Sequence, residues 1–211
     1  DLDRWAYLKP EAGGSMLVGL VEPSAIPWPD VGPAPTDTSF ITFDPDPEHL
    51  ARWIPAALDR IPVLNDTGMR LLFGGPESFT PDDSYILGEA PNLPGLFVGA
   101  GINTIVIQSA GGAGMALAHW IIDVEPPMDL SDVDIRRFQR FQWTEPYLRA
   151  RTVEGLGLLY APHWPHYPYE TARGVRRSPL HDRLADEGAC FGSTAGWERP
   201  MFYARPEDGV E

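Results

Sequence analysis

The chain has 211 residues, of which 43% are hydrophobic and 22% are charged, so its composition is that of a globular protein with a packed core. It carries 30 acidic and 16 basic residues, which gives a formal net charge of −14. This charge argues against nucleic acid and anionic membrane surfaces as partners, because both attract basic faces. Glycines and polar residues interrupt the longest apolar run, so no membrane span is predicted. The single cysteine, Cys190, excludes an internal disulfide and favours a reducing compartment.

The first third of the chain is predicted to contain a hairpin followed by an amphipathic helix. Two strand-like runs, residues 5–8 and 16–21, flank the segment EAGGS, which is typical of a hairpin loop. The segment DPDPEHLARWIPAALDRIP has apolar residues at helical spacing after an Asp/Pro start signal, and Pro55 is expected to kink the helix. The run GMRLLFGG predicts a further strand, and the segment PESFTPDDSYILGEAPNLPG after it predicts a loop.

The stretch LFVGAGINTIVIQSAGGAGMALAHWI, residues 96–121, passes from an apolar run through glycines into a second apolar run. Residues 96–98 are continuously apolar, which is typical of a strand that is buried on both faces in a parallel sheet. A helix is predicted from about Gly112. Because it is apolar almost all round, we expect it to be buried on several sides. The segment EPPMDLSDVD then predicts the end of this unit near Ile135.

The remainder of the chain is predicted to be a small, irregular domain. Thr144, Glu145 and Pro146 are a start signal for one helix. The segment APHWPHYPYE is too rich in proline for regular structure. In SPLHDRLADEG, Ser178 suits the N-cap and Gly188 suits the stop of a second helix.

The glycines between residues 99 and 114 raise the question of what lies against them. A strand that leads through glycines into a helix directs backbone N–H groups and the positive end of the helix dipole at one spot. Glycines allow a flat or anionic group to approach the backbone closely. The spacing differs from the dinucleotide fingerprint GxGxxG, so the pyrimidine edge of a flavin, which gains negative charge on reduction, is the sharper candidate. Close packing of the helix on the strand explains the same glycines equally well.

Three long motifs resemble the dimethylglycine and sarcosine dehydrogenase family. YLKPEAGGSMLVGLVE is similar to the hairpin of that family's substrate domain. LFGGPESFTPDDSYILGEAPNLPGLFVGAGINTIVIQSAGGAGMALAHWIIDVEPPMDLSDVDIRRF resembles the C-terminal part of its flavin domain. HWPHYPYETARGVRRSPLHDRLADEGACFGSTAGWERPMF resembles its central domain. The resemblance covers nearly the whole chain, in the family's order.

The resemblance implies a mixed fold of α+β and α/β character. Residues 1–135 are expected to be the C-terminal part of an FAD-dependent oxidoreductase domain, with an antiparallel substrate-domain sheet and the last strand and helix of the FAD-binding layer. Residues 136–211 are expected to be the small central domain. The GxGxxG loop, the flavin-linking His and a folate-binding domain are expected to lie outside these 211 residues, which would form a middle piece that is inactive alone.

The resemblance also implies an activity, that of an FAD-dependent dehydrogenase or oxidase acting on a CH–NH group. The expected substrate is a small methylated amine, dimethylglycine or sarcosine, whose one-carbon unit passes to tetrahydrofolate. The electron acceptor would be an electron-transfer flavoprotein or oxygen. We expect a cytoplasmic location in a bacterium or a location in the mitochondrial matrix, with no targeting segment in these residues. The alternative function is that of a non-catalytic scaffold between other domains.

One segment is placed along the flavin by this resemblance. The residues expected to bind the cofactor are Gly101, Ile102, Asn103, Thr104, Ile105, Val106, Ile107 and Gln108. Gln108 matches a Lys that faces the substrate carboxylate in related amine oxidases, so it is expected to lie near the substrate as an uncharged hydrogen-bond donor. Family members usually carry Gly at the position of Val106, where a β-branched residue does not readily adopt a positive φ. No catalytic residue is assigned, and Gly75 replaces a flavin-linking Cys of the related oxidases.

The other polar clusters are mostly predicted to be structural. His163 and His166 are separated by Trp-Pro and lack further ligands, so no metal is expected. His119 is predicted to be a core or edge histidine, and Cys190 a small buried residue. Internal ion pairs or packing at the start of a helix are favoured over an anion site for the basic cluster of Arg173, Arg176 and Arg177. The loop that carries Glu77, Ser78 and Thr80 either approaches the active site or only forms a turn.

Overall fold

The structure is a computed structural model that describes residues 2–29, 32, 35–37, 39–44, 46–161, 167–205 and 207. Within this part of the chain it combines helices with three separate two-stranded antiparallel sheets. The expected mixture of helix and sheet is therefore confirmed. None of the helices in the described part is both long and apolar enough to cross a membrane.

The N-terminal hairpin is present as predicted. Strand β1 (Ala6–Glu11) pairs with β2 (Ser15–Leu20), in a register that runs from Ala6 opposite Leu20 to Glu11 opposite Ser15. Gly13 and Gly14 connect the strands with φ values of 78° and 76°, a conformation that glycine adopts without steric cost.

The predicted amphipathic helix is divided into two short helices. Helix α1 (Pro47–Ala51) begins after Asp46, whose carboxylate accepts a hydrogen bond from the backbone N–H of His49 at 2.9 Å. Helix α2 (Ile54–Arg60) begins one residue before Pro55. The break lies at Arg52 and Trp53, because Pro55 lacks the N–H that a continuous helix would donate to the Ala51 carbonyl.

The central sheet differs from the prediction in two respects. Strand β3 (Ile86–Glu89) lies in a segment predicted to be a loop, and it pairs antiparallel with β4 (Phe97–Ala100). The expectation of a parallel strand buried on both faces is therefore wrong within the described residues, where β4 is only partly buried. The run GMRLLFGG is not a strand either. Its one β-interaction is an isolated bridge between Gly74 and Phe43, because the described residues offer no longer strand for it to pair with.

Helix α3 (Val106–Asp123) begins six residues earlier than predicted. One face, with Ala113, Ala116 and Trp120, is buried against the central sheet, where Leu87 is only 1% exposed. The expected burial on several sides is wrong for the described chain, since Ile107 is 97% exposed. The sheet is too narrow to cover more than one face of an 18-residue helix.

The C-terminal part consists of α4 (Glu145–Tyr160), α5 (His181–Asp186) and a sheet of β5 (Ala189–Thr194) and β6 (Trp197–Tyr203). The start of α4 after Thr144 is confirmed. Ser178 does not cap α5, whose N-cap is Leu180. Instead the Ser178 hydroxyl accepts a hydrogen bond from the Leu180 N–H, in a turn that precedes the helix. Gly188 follows α5 with a φ of 88°, as expected of a helix stop.

Polar contacts connect α4 to both halves of the chain. The guanidinium group of Arg151, which is only 2% exposed, lies over the Tyr169 ring and donates a hydrogen bond to the Ser193 hydroxyl at 3.1 Å. Arg173 forms a bidentate ion pair with Glu198 on β6, which confirms the predicted internal ion pair. On the other side, the backbone N–H of Ala25 donates to the Val153 carbonyl at 2.9 Å.

Candidate functional site

The turn between β4 and α3 has an unusual backbone. Gly101, Asn103 and Thr104 have φ values of 58°, 47° and 66°, in the left-handed region. Asparagine tolerates this region, whereas a β-branched threonine rarely enters it. Strained backbone of this kind persists only where the surrounding structure enforces it, and it often marks a functional site.

The side chain of Asn103 holds this turn against the loop of residues 77–84. Its carbonyl oxygen accepts a hydrogen bond from the Thr80 backbone N–H at 2.7 Å. Its amide group donates to the Gly101 carbonyl at 2.7 Å and to the Thr80 hydroxyl at 3.1 Å. Both residues are buried, with exposures of 1% for Asn103 and 3% for Thr80. Thr80 therefore packs directly against the buried side of the turn.

The start of α3 presents backbone donors that have no hydrogen-bond partner among the described residues. Ile105 occupies the N-cap position and has no side-chain acceptor, so it provides no cap. The first intrahelical bond runs from the Ser109 N–H to the Ile105 carbonyl at 3.1 Å. The N–H groups of residues 106–108 precede that bond, and the helix dipole adds partial positive charge at the same place. Gln108 is exposed in this first turn.

Val106 fits its position without strain. It is the first residue of the helix and is not among the residues with a positive φ, so the expected conflict between a β-branched side chain and a left-handed backbone does not arise. Its side chain is 47% exposed. A valine at this position therefore adds apolar surface beside the uncapped N–H groups.

The glycines of this region divide into two groups. A Cβ atom added at Gly99 would lie 3.1 Å from Leu117 Cδ1, so close packing of helix on strand explains that glycine. A Cβ atom at Gly111, Gly112 or Gly114 would meet nothing within 4 Å. A glycine within a helix costs about 0.5–1 kcal/mol relative to alanine. Packing within the described chain does not explain these three.

Two further side chains converge on Thr104. Burial raises the pKa of the Glu77 carboxyl group, and the nearby Thr104 backbone N–H partly opposes the rise. The Thr104 hydroxyl is hydrogen-bonded to the hydroxyl of Tyr160, at the end of α4. Sequence reasoning considered Glu77 but missed Tyr160, because no local pattern pairs residues that are 56 positions apart. Of the loop residues considered with Glu77, Ser78 is exposed and Thr80 is buried.

The remaining candidate residues lie elsewhere. Gly75 is exposed in a segment without regular secondary structure. His119 is exposed near the end of α3, 3.3 Å from Asp123, and is thus an edge histidine. Cys190 is a half-buried free thiol in β5. The part of the chain that the structure describes contains no group of three or more His, Cys, Asp or Glu side chains that could hold a metal ion, and His163 and His166 lie outside it.

These features fit the edge of a flavin ring. The uncapped N–H groups are donors for the oxygen and nitrogen acceptors of the ring, and the positive helix end favours the negative charge of its reduced form. The open space beside Gly111, Gly112 and Gly114 is what a side chain would fill, and it leaves room for a flat group.

Comparison with known proteins identifies relatives over nearly the whole chain. The chain is 46% identical over 206 residues to the 4-methylaminobutanoate oxidase (formaldehyde-forming) of Paenarthrobacter nicotinovorans, covering 98% of this chain and 25% of the relative. It is 39% identical over 204 residues to the mitochondrial sarcosine dehydrogenase of Homo sapiens, covering 96% of this chain and 22% of the relative. The chain is homologous to a segment of the sarcosine and dimethylglycine dehydrogenases. The resemblance inferred from its motifs is thus confirmed.

The matches also define the limits of this homology. Residues 125–178 match the family model described as the FAD dependent oxidoreductase central domain. The chain spans about a quarter of the length of the relatives that it matches. A further relative is named as a regulatory subunit and not as an oxidase or dehydrogenase. The mitochondrial pyruvate dehydrogenase phosphatase regulatory subunit of Mus musculus is 33% identical over 206 residues, covering 98% of this chain and 23% of the relative.

Proposed function

We propose that the chain is part of an FAD-dependent oxidoreductase that oxidatively demethylates a small N-methyl amine such as sarcosine or dimethylglycine. The observation that carries this proposal is the uncapped start of α3, next to a left-handed turn and followed by three helix glycines that packing does not explain. Homology over nearly the whole chain to an oxidase and a dehydrogenase of methylated amines supports the same activity.

The proposal includes the domain organisation inferred from the sequence. Residues 1–135 would complete an FAD-binding domain, and residues 136–211 would form a central domain. A folate-binding domain elsewhere in the full-length protein would pass the one-carbon unit to tetrahydrofolate. An electron-transfer flavoprotein or oxygen would accept the electrons, and the enzyme would work in the bacterial cytoplasm or the mitochondrial matrix.

The cofactor would be held by the segment from Gly101 to Gln108. FAD, when bound, would supply the acceptor for the hydride that leaves the N-methyl carbon. The N–H groups of residues 106–108 would donate hydrogen bonds to the edge of its ring, and a glycine of α3, such as Gly111, would leave space beside it. The Gln108 amide would donate a hydrogen bond to the substrate carboxylate. Because an amide carries no charge, this attraction would be weaker than that of a lysine.

Replacement of Gln108 tests the substrate side of this proposal. In the full-length protein, Gln108→Ala should reduce kcat/KM for the preferred methylamine by a factor equivalent to about 0.5–1.5 kcal/mol, the usual net contribution of one hydrogen bond. The bound flavin should retain its absorbance spectrum. His119→Gln is a matched control, because His119 is exposed on the same helix three turns away from Gln108. Unchanged kinetics for every methylamine tested would show that Gln108 faces elsewhere.

A non-catalytic role is the second candidate function. The specific observation in its favour is the relative named as a regulatory subunit, to which the chain is 33% identical. Purification of the full-length protein separates the two functions. A protein that carries flavin, and whose flavin is bleached anaerobically by a methylamine, is an oxidoreductase. A folded protein that binds no added FAD would favour the scaffold.

A further inference from the structure

The side chain of Asn103 has no hydrogen-bond donor left for a cofactor. Its carbonyl oxygen accepts from the Thr80 N–H, and its two amide hydrogens are donated to the Gly101 carbonyl and the Thr80 hydroxyl. An amide group has two N–H donors and an acceptor oxygen with two lone pairs, so these three bonds use both donors and one of the two lone pairs. The residue is also only 1% exposed. A contact from this side chain to the flavin would require it to leave the turn.

The three bonds hold a backbone that would otherwise relax. Asn103 and Thr104 are consecutive non-glycine residues in the left-handed region, which chains avoid unless other contacts enforce it. The loop behind the turn is in close contact with it, since a Cβ atom at Gly101 would lie 2.6 Å from Thr80 Cγ2. The Thr80 hydroxyl is anchored in turn by donation to the Ser84 carbonyl at 2.9 Å.

The held turn leads directly into the start of α3. The Ile105 N–H donates to the Ile102 carbonyl at 3.1 Å, and helix α3 begins at the next residue. The orientation of the Thr104 N–H depends on the same backbone. A change in the turn would therefore rotate or shift the N–H groups of residues 106–108.

We propose that Asn103 is a positioning residue, which fixes the turn so that the first-turn N–H groups of α3 point at the flavin ring without itself contacting the ring. This proposal rests on the proposed function. It differs from the expectation that Asn103, as a member of the segment from Gly101 to Gln108, contacts the cofactor directly. Thr80, 23 residues earlier, is its partner in this role.

The test uses the full-length holoprotein and the variant Asn103→Gly. Glycine retains access to the left-handed backbone but removes all three side-chain bonds. We expect FAD to remain bound in stoichiometric amount, while the two-electron midpoint potential falls by about 30 mV, which corresponds to a tenfold change in the reduction equilibrium. We also expect kcat to fall by about tenfold, with a smaller change in KM, because donors to the reduced ring would be misplaced.

Three further variants separate positioning from loss of stability. Thr80→Val removes the hydroxyl that links Asn103 to Ser84 and should lower the potential by a smaller amount; it serves also if Asn103→Gly does not fold. Thr80→Ser keeps the hydroxyl and should retain the wild-type potential. Gly157→Ala, at a contact with Pro23 outside the turn, should lower the melting temperature but leave the potential unchanged.

Two results would overturn the proposal. If both Asn103→Gly and Thr80→Val hold flavin with the wild-type potential and turnover per bound flavin, Asn103 has only a structural role, and the proposed function survives. If the wild-type full-length protein binds no FAD, the proposed function fails and this proposal fails with it.

Discussion

The carboxyl group of Asp83 should make the stability of this chain depend on pH. One of its oxygens accepts a hydrogen bond from the Tyr169 hydroxyl, and the other, Oδ1, is buried without a hydrogen-bond partner in the described part of the chain. Burial raises the pKa of Asp83 from 3.8 to about 6, although the Tyr169 hydroxyl and the Arg151 guanidinium group both favour the carboxylate. The neighbouring charges of Asp82 and Glu154 add to the rise.

The direction and size of the effect follow from linkage. Because the pKa is higher in the folded state than in the unfolded state, the folded state binds the proton more tightly. The stabilising contribution is therefore fully present below pH 3.8 and is lost as the pH rises through about 6. The rise in pKa from 3.8 to about 6 corresponds to about 3 kcal/mol of folding free energy. Roughly half of this contribution is lost between pH 5 and pH 8.

The variant Asp83→Asn removes the titration and retains an oxygen that can accept from Tyr169. Asparagine also tolerates the φ of 56° at this position. The buried amide has its own cost, but that cost does not depend on pH. The free energy of unfolding of wild type should therefore fall between pH 5 and pH 8 by about 1.5 kcal/mol more than that of the variant.

Urea unfolding, followed by tryptophan fluorescence at several pH values in this range, measures the difference. Tyr169→Phe is the informative control. It removes a hydrogen bond that favours the carboxylate, so it should make the pH dependence steeper than in wild type. Parallel pH profiles for wild type and Asp83→Asn would refute the reasoning.

Two further predictions concern packing and charge. Gly157→Ala should destabilise the chain by about 1–3 kcal/mol, because the new Cβ would lie 2.1 Å from the Pro23 carbonyl oxygen. Gly111→Ala, in open space, should stabilise the 211-residue chain by about 0.5–1 kcal/mol. Urea unfolding measures both changes. Arg173→Met should cost up to about 3–5 kcal/mol of stability at neutral pH, because it would leave the buried Glu198 carboxylate without its cation. Burial by itself would raise the pKa of Glu198, but the ion pair with Arg173 holds that pKa below its ordinary value. The loss should shrink in acid, where Glu198 is protonated in either protein; an equal loss at both pH values would contradict this account.

The elements that sequence reasoning located correctly are those with local signals. The hairpin follows from two glycines between strand-like runs, and the start of α4 follows from Thr144 and Pro146. Strand β3 was missed because its partner β4 lies beyond a proline-rich connection, so the pairing is not a local property. The run GMRLLFGG had the composition of a strand, but composition alone does not provide a partner.

The cofactor segment from Gly101 to Gln108 stays a prediction from the motif. The structure places Gln108 in the first turn of a helix. The bonds between Asn103 and Thr80 join segments 23 residues apart, and no spacing rule predicts such a contact. An asparagine within a glycine-containing turn does favour a left-handed backbone, and that was the available signal for its role.

The three glycines of α3 provide a test of whether a cofactor or another part of the protein lies against that helix. Together they cost about 1.5–3 kcal/mol relative to alanine, and neither a positive φ nor a side chain of the described residues requires them. If a cofactor or another part of the full-length protein lies against Gly111, a methyl group there must displace it. Gly111→Ala should then stabilise the 211-residue chain but weaken flavin binding or stability in the full-length protein. A variant that stabilises both would mean that nothing approaches this face closely, and the glycines would no longer support a cofactor site.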